Sequence, residues 1–220
     1  MTFVIAFISV IVIGYLLGAI PFGLIVGKLM GDVDITRHGS GKTGGTNVLR
    51  TVGTKAGALV IALDVGKAVA AVILAKVIVG SSVSMIGGIP LHWQIAQVMA
   101  ALAVMVGHNW SVFLKFKGGR GVAAFFGTVL VMSPPVALFG AEVLAISALR
   151  SRYMSLGSIL GATAVWCLLI PLTIAYNFPP IYLLYGLVAL ILIVYQHRGN
   201  LVRIQQGTER RLGEKGERIS

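Results

Sequence analysis

The positive charge of this chain is concentrated in four short segments between long apolar runs. Residues 27–55 carry Lys28, Arg37, Lys42, Arg50 and Lys55, and 115–120 carry Lys115, Lys117 and Arg120. Arg150 and Arg152 form the third cluster, and 198–218 holds Arg198, Arg203, Arg210, Arg211, Lys215 and Arg218. These are 16 of the 18 Lys and Arg residues, set against only 7 Asp and Glu. The connections near 80–93, 133–136 and 176–180 carry no Lys or Arg. A soluble basic protein spreads its cations over its surface. A chain that is 57% hydrophobic and segregates them this way reads as a multi-spanning membrane protein with its basic loops on the cytoplasmic side.

At 220 residues and a net charge of +11, residues 1–220 make one domain. So apolar a chain offers little water-facing surface to a nucleic acid, and none is expected as a partner. The charge instead sets topology and attracts anionic lipids or substrates. Crossing ~30 Å of hydrocarbon takes ~20 helical residues. Residues 3–26, 56–79, 156–176 and 180–196 meet that need, whereas 94–107 is short and needs residues 89–93 to help. No basic segment precedes Phe3 and the first apolar run is long, so it reads as a span, not a signal peptide. Residues 122–149 make one helix of ~42 Å, or two short ones broken at Pro134-Pro135. One helix strands Arg150, Arg152 and the tail on the opposite face. Two helices give about seven spans, with the N-terminus outside and the basic tail 196–220 in the cytoplasm. An all-α integral membrane fold of seven transmembrane helices is therefore expected. Gly14, Gly18, Gly66, Ala68, Ala70, Ala71, Gly157 and Gly161 suit close helix approach in lipid. The lone Cys167 cannot form an internal disulfide and reads as inert packing.

The basic loops also hold the glycine-rich motifs, which places function at that face. The first reads Gly39-Ser40-Gly41-Lys42-Thr43-Gly44-Gly45-Thr46-Asn47-Val48-Leu49-Arg50. Its glycines allow sharp turns that aim backbone N–H groups at one anion. Ser40, Thr46 and Asn47 add side-chain donors, and Arg50 adds a bidentate cation. The order of residues is not that of a nucleotide-hydrolysing P-loop. A flexible loop with an orienting arginine would look the same. The second motif, 107–122, places Lys117 and Arg120 around Gly118-Gly119 before a helix start, a second candidate anion site. Trp110, Phe113 and Phe116 suit the membrane interface, where an acyl chain would lie. His108 reads as structural. The third patch is Arg152–Ser158. The fourth is Tyr195–Asn200, followed by Gly207-Thr208-Glu209; His197 and Asn200 share a helix face.

Asp64 and Lys67, one turn apart inside an apolar run, read as a structural pair. Glu142 has no obvious local partner, which leaves a buried role or a protonated state open. No metal site is expected, because His38, His92, His108 and His197 lie far apart and no Cys pair exists. None of these histidines has an Asp five residues on, so the His-x4-Asp acyltransferase dyad is absent.

Together these segments resemble the bacterial membrane-bound glycerol-3-phosphate acyltransferases that use acyl phosphate as donor. The resemblance runs from about Tyr15 to Gly213. It rests on residues 39–50, on Gly107-His108 with Phe113–Val122, on Tyr153–Ser158, and on His197-Arg198-x-Asn200. Departures are Lys42-Thr43 where the family has Asn-Pro or a similar pair, Gly45 for Ala, Ser111 for Pro, and Arg120 for Lys. The last keeps the charge but changes the donor geometry. The resemblance implies transfer of an acyl group from acyl phosphate to the 1-hydroxyl of glycerol 3-phosphate. The products are lysophosphatidic acid and phosphate, made without a cofactor by a monomer in the plasma (inner) membrane. It implies catalytic roles for Ser40, His197 and Asn200. It implies substrate binding by Gly41, Gly44, Thr46, Asn47, Arg50, Lys117, Gly118, Gly119, Arg120 and Ser155. Either His197 or a substrate phosphate takes the hydroxyl proton. A transporter of small anionic solutes would use similar cations, but such proteins bind at the bilayer midplane and often show inverted repeats. Here the polar groups sit at one face and no repeat is visible.

Overall fold

The computed structural model describes residues 2–80, 84–86, 89–91 and 93–218. Ten α-helices account for most of them. The first apolar run is two helices, α1 (Thr2–Ala19) and α2 (Phe22–Gly31), parted at Ile20-Pro21 because proline supplies no N–H to continue the ladder. A short α3 (Gly45–Thr51) sits in the first basic loop, and α4 (Thr54–Val79) is the longest helix at 26 residues. Beyond α5 (Trp93–Asn109), residues 122–151 divide into α6 (Val122–Met132) and α7 (Pro134–Ser151). The break falls at Ser133, and Pro134 opens α7 in the first-turn position where its missing N–H costs nothing. The two-helix reading of this segment is the one the backbone adopts. Then come α8 (Met154–Tyr176), α9 (Pro180–Gln196) and α10 (Arg198–Gln205), the last two bent by 55° at His197.

Among the described residues, three helical stretches are long and apolar enough to cross a membrane: Val4–Gly31, Thr54–Val79 and Met154–Tyr176. Counting the bent pair of α9 and α10 as one span makes four. Residues 84–86 and 89–91 pair as an antiparallel hairpin, so they add no turn to α5, which begins at Trp93. Gly66 meets no neighbouring helix, whereas Gly18 and Gly157 do. A Cβ on Gly18 would overlap the Val104 carbonyl of α5, and one on Gly157 would press on Leu144 and Ala148 of α7. These contacts bring α1 onto α5 and α7 onto α8, the two closest-packed pairs.

The main core lies among α4, α5, α6, α8 and α9, around Phe125, Tyr185, Met105, Val72 and Ile193. Tyr185 reaches Thr128 across it, so its hydroxyl is satisfied without water. The outer surface is apolar too, with Ile5, Val12, Ile73, Val77, Leu138, Ile174 and Ile191 exposed. Helices apolar all round belong in lipid. Cys167 and Glu142 lie on that outer surface, which corrects the expectation of packing for the first and excludes a buried role for the second.

Candidate active site

The four basic segments converge at one end of the bundle. The tail forms the joint. Gly216 N–H donates to the Arg50 carbonyl at 2.9 Å, Gly39 N–H to that of Glu217 at 2.8 Å, and Leu212 N–H to that of Arg152 at 2.6 Å. Residues 208–218 thus strap the first loop to the third, and are not a loose basic tail.

Two cavities of about 380 Å³ each meet beneath this strap. The first has a polar end lined by Ser40, Gly44–Asn47, Arg50, Arg120, Ser155, His197 and Glu209. Its other walls are Ile61, Val65, Val122, Phe126, Ala141, Leu144 and Met154, an apolar slot among α4, α6, α7 and α8. The second is polar and lined by Ser40, Lys42, Arg120, Arg198, Asn200, Arg203 and Arg210. Ser40 and Arg120 border both. One end thus takes hydrocarbon and the other takes anions.

The first loop is built around Asn47. Its Oδ1 accepts the Ser40 N–H at 3.0 Å, and its Nδ2 donates to the carbonyls of Ile35, His38 and Lys42 at 3.1, 3.0 and 2.9 Å. The amide therefore fixes the loop's own backbone and has no donor left for a phosphate. Gly39 and Gly41 take positive φ there, 55° and 65°, as such a tight loop requires. Gly41 lines neither cavity, while Gly44 and Thr46 line the first. Arg50 reaches the first cavity and also donates from Nη2 to the carbonyls of Arg210 and Arg211, each at 3.2 Å.

In the second motif Arg120 enters the site and Lys117 does not; Lys117 is exposed and borders neither cavity. Gly118 and Gly119 are buried against His108, behind the cavity wall. Phe113 and Phe116 point outward, so the apolar slot is formed by other residues. Burial pulls the Arg120 guanidinium down to about 10, against the opposing pull of Glu209, and it remains charged at neutral pH.

Sequence reasoning gave Glu209 no role, yet it organises the third and fourth motifs. It accepts from Ser155 Oγ at 2.9 Å and Asn200 Nδ2 at 2.6 Å, both on Oε1, and from Arg203 Nε at 2.8 Å on Oε2. Burial opposes its charge, but these three donors outweigh it and hold the carboxyl below the usual range. The signal available in sequence was its place directly after Gly207-Thr208, in a tail where three glutamates stand among six cations. His197 caps both α9 and α10, and its Nδ1 donates to the Ile193 carbonyl at 2.8 Å. Nε2 is then the unprotonated nitrogen. Burial and the Arg120 charge press its pKa down to about 4, so His197 is neutral in the physiological range. No cluster of His, Cys, Asp and Glu able to hold a metal occurs among the described residues, which do not include His92.

The glycerol-3-phosphate acyltransferase family profile matches residues 8–207. A glycerol-3-phosphate acyltransferase 3 of Dehalococcoides mccartyi is 48% identical over 206 residues, covering 94% of this chain and 95% of that protein. A glycerol-3-phosphate acyltransferase of Crocosphaera subtropica is 43% identical, covering 93% of each. Among solved structures, PlsY (YgiH), an integral membrane glycerol 3-phosphate acyltransferase in its glycerol 3-phosphate form, superposes with a TM-score of 0.81. It is 36% identical, covering 94% of this chain and 96% of that one. The lysophosphatidic acid form of the same protein superposes with a TM-score of 0.79.

Proposed function

The chain belongs to the glycerol-3-phosphate acyltransferase family, and on that premise we propose that it acylates the 1-hydroxyl of glycerol 3-phosphate from acyl phosphate, the first step of phospholipid synthesis. The observation that carries this reading is the junction of an apolar slot and a cationic chamber at Ser40 and Arg120. An acyl phosphate is hydrocarbon at one end and anion at the other, and only such a junction accommodates both. The acyl chain lies along Val65, Phe126 and Leu144, with its phosphate at the first loop. Glycerol 3-phosphate takes Arg50 and Arg120, with Ser155 and Asn200 held by Glu209 beside it. Gly44 and Thr46 border the donor. Gly41, Gly118, Gly119 and Asn47 act by shaping the loops, and Lys117 draws anions from outside.

The hydroxyl oxygen attacks the acyl carbonyl carbon, the carbon–oxygen bond to phosphate breaks, and phosphate leaves with the electron pair. The hydroxyl proton must go to a base. A His197 with a pKa near 4 is a weak one, whereas a phosphate monoester has its second pKa near 6. A substrate phosphate oxygen therefore takes the proton. His197 and Ser40 orient the hydroxyl by hydrogen bonds. Fixed donors holding two anions and the developing oxyanion supply most of the rate. A product assay with each donor tests the donor assignment. Acyl phosphate should give lysophosphatidic acid with or without chelator and acyl-CoA none, since a thioester brings no phosphate to the first loop. Robust acyl-CoA turnover, or metal-restored loss on chelation, would overturn it.

We further place the site on the cytoplasmic side of the bacterial plasma membrane, in a monomer with seven spans. The seven apolar units α1 with α2, α4, α5, α6, α7, α8 and α9 support this. So does the gathering of the basic segments at one end. Reporter fusions at the two termini should report a cytoplasmic C-terminus and an external N-terminus; a periplasmic C-terminus would contradict it.

A further inference from the structure

The mechanism leaves one buried polar cluster unused. Asp64 Oδ1 on α4 pairs with Lys67 Nζ at 2.8 Å, and their side chains are 2% and 3% exposed. The same oxygen stands 3.5 Å from His108 Nδ1 on α5. Lys67 also donates to the Ile20 carbonyl at 3.0 Å, at the break between α1 and α2. Three segments of the bundle thus meet at one buried ion pair. Packing alone does not call for this, because hydrophobic residues of similar volume stabilise as well as a buried ion pair or better. Asp64 and His108 also border the first cavity.

The other face of His108 carries the second motif. Gly119 N–H donates to the His108 carbonyl at 2.9 Å. A Cβ on Gly118 would overlap that carbonyl, and a Cβ on Gly119 would overlap the imidazole at Nε2. The ring is therefore clamped between Asp64 and Gly119, and the next residue is Arg120. Arg120 Nε has no hydrogen-bond partner among the described residues. The direction of its guanidinium is left to the backbone that bears it.

We propose that Asp64 is a positioning residue for glycerol 3-phosphate: it orients His108, whose ring and carbonyl seat Gly118-Gly119, and that seat aims Arg120 at the substrate phosphate. The proposal rests on the acyltransferase reading. It assigns Asp64 an effect on one substrate and not on the other, which a packing role does not produce.

The test is steady-state kinetics on purified Asp64→Asn and Gly119→Ala proteins with both substrates varied, alongside their thermal unfolding. Asp64→Asn slackens the clamp from one side, and Gly119→Ala pushes on the ring from the other. Each should raise KM for glycerol 3-phosphate by roughly ten- to a hundredfold, the scale of a 1 Å misplacement, with kcat and KM for acyl phosphate changed less than about threefold. The double variant should be little worse than either single one, because both act on one seat. An unchanged KM for glycerol 3-phosphate in a folded variant overturns the proposal. So does a fall in kcat and a rise in both KM values that track lost thermal stability. If Asp64→Asn does not fold, Gly119→Ala decides alone by the same criteria. A wild-type protein that makes no lysophosphatidic acid contradicts the acyltransferase reading itself, whereas an active wild type with unaltered variants contradicts only this inference.

Discussion

Replacing Arg120 by alanine is expected to lower acyl transfer by roughly thirty- to a thousandfold, the loss of ~2–4 kcal/mol from a charge-assisted phosphate contact in a partly desolvated site. The fold should survive. Arg120 makes no salt bridge among the described residues, so its removal strands no buried carboxylate. It stands where the two cavities meet and, in the proposed mechanism, holds the glycerol 3-phosphate phosphate, so the loss should fall mainly on that substrate. Arg120→Lys should retain most activity, since a lysine keeps the charge. Arg50→Ala should behave differently. Its Nη2 also holds the Arg210 and Arg211 carbonyls, so the tail strap loosens and thermal stability falls along with turnover. Kinetics and thermal unfolding of the three variants, with exposed Arg37→Ala as control, check this. Near-normal turnover in Arg120→Ala would remove the residue from the site.

Glu209→Ala is expected to cost both folding and activity, by ~3–5 kcal/mol of stability, because it removes one partner of a buried charged network. The carboxylate side chain is 4% exposed and accepts from three donors on α8, on α10 and just inside its end. Alanine leaves the Arg203 cation and the Ser155 and Asn200 donors unanswered. Glu209→Gln should be milder, since the amide still accepts from Ser155 or Asn200. Acid should mimic the loss. The folded carboxyl titrates below its unfolded value, so its contribution is complete above the ordinary Glu range and disappears as pH falls through the folded pKa. Thermal melts of the two variants between neutral and acidic pH check both statements. A stable, active Glu209→Ala protein would contradict the network.

The helices and the gathering of the basic loops at one end were legible because both follow from local rules. Apolar length gives the long helices, the Pro134-Pro135 pair gives the break at Ser133, and clustered cations give the gathering of loops. The residues that bring the site together were less legible, for a physical reason. Asn47 looked like a phosphate donor because a carboxamide has free donors in sequence; only the folded loop shows all of them engaged by its own backbone. Lys117 and Arg120 looked equivalent, yet Gly118 and Gly119 between them are buried against His108, and Lys117 is exposed while Arg120 lines both cavities. Glu209 lies in a tail that reads as basic and solvated, and its importance depends on contact with Ser155, 54 residues away. Lys42 stands where the resembling family has another residue, and it borders the polar cavity beside Arg120 and Arg198. Burial and those two cations lower its pKa.

At the core of this mechanism, one site holds two phosphates and moves an acyl group from the phosphate of one substrate to the hydroxyl of the other. The most direct measurement uses the purified protein in lipid, with radiolabelled glycerol 3-phosphate and acyl phosphate. The account predicts that labelled lysophosphatidic acid and inorganic phosphate appear in equal amounts, and that neither forms at that rate when one substrate is withheld. Phosphate release that does not depend on glycerol 3-phosphate, or uptake of label across the membrane with no lysophosphatidic acid formed, would contradict it.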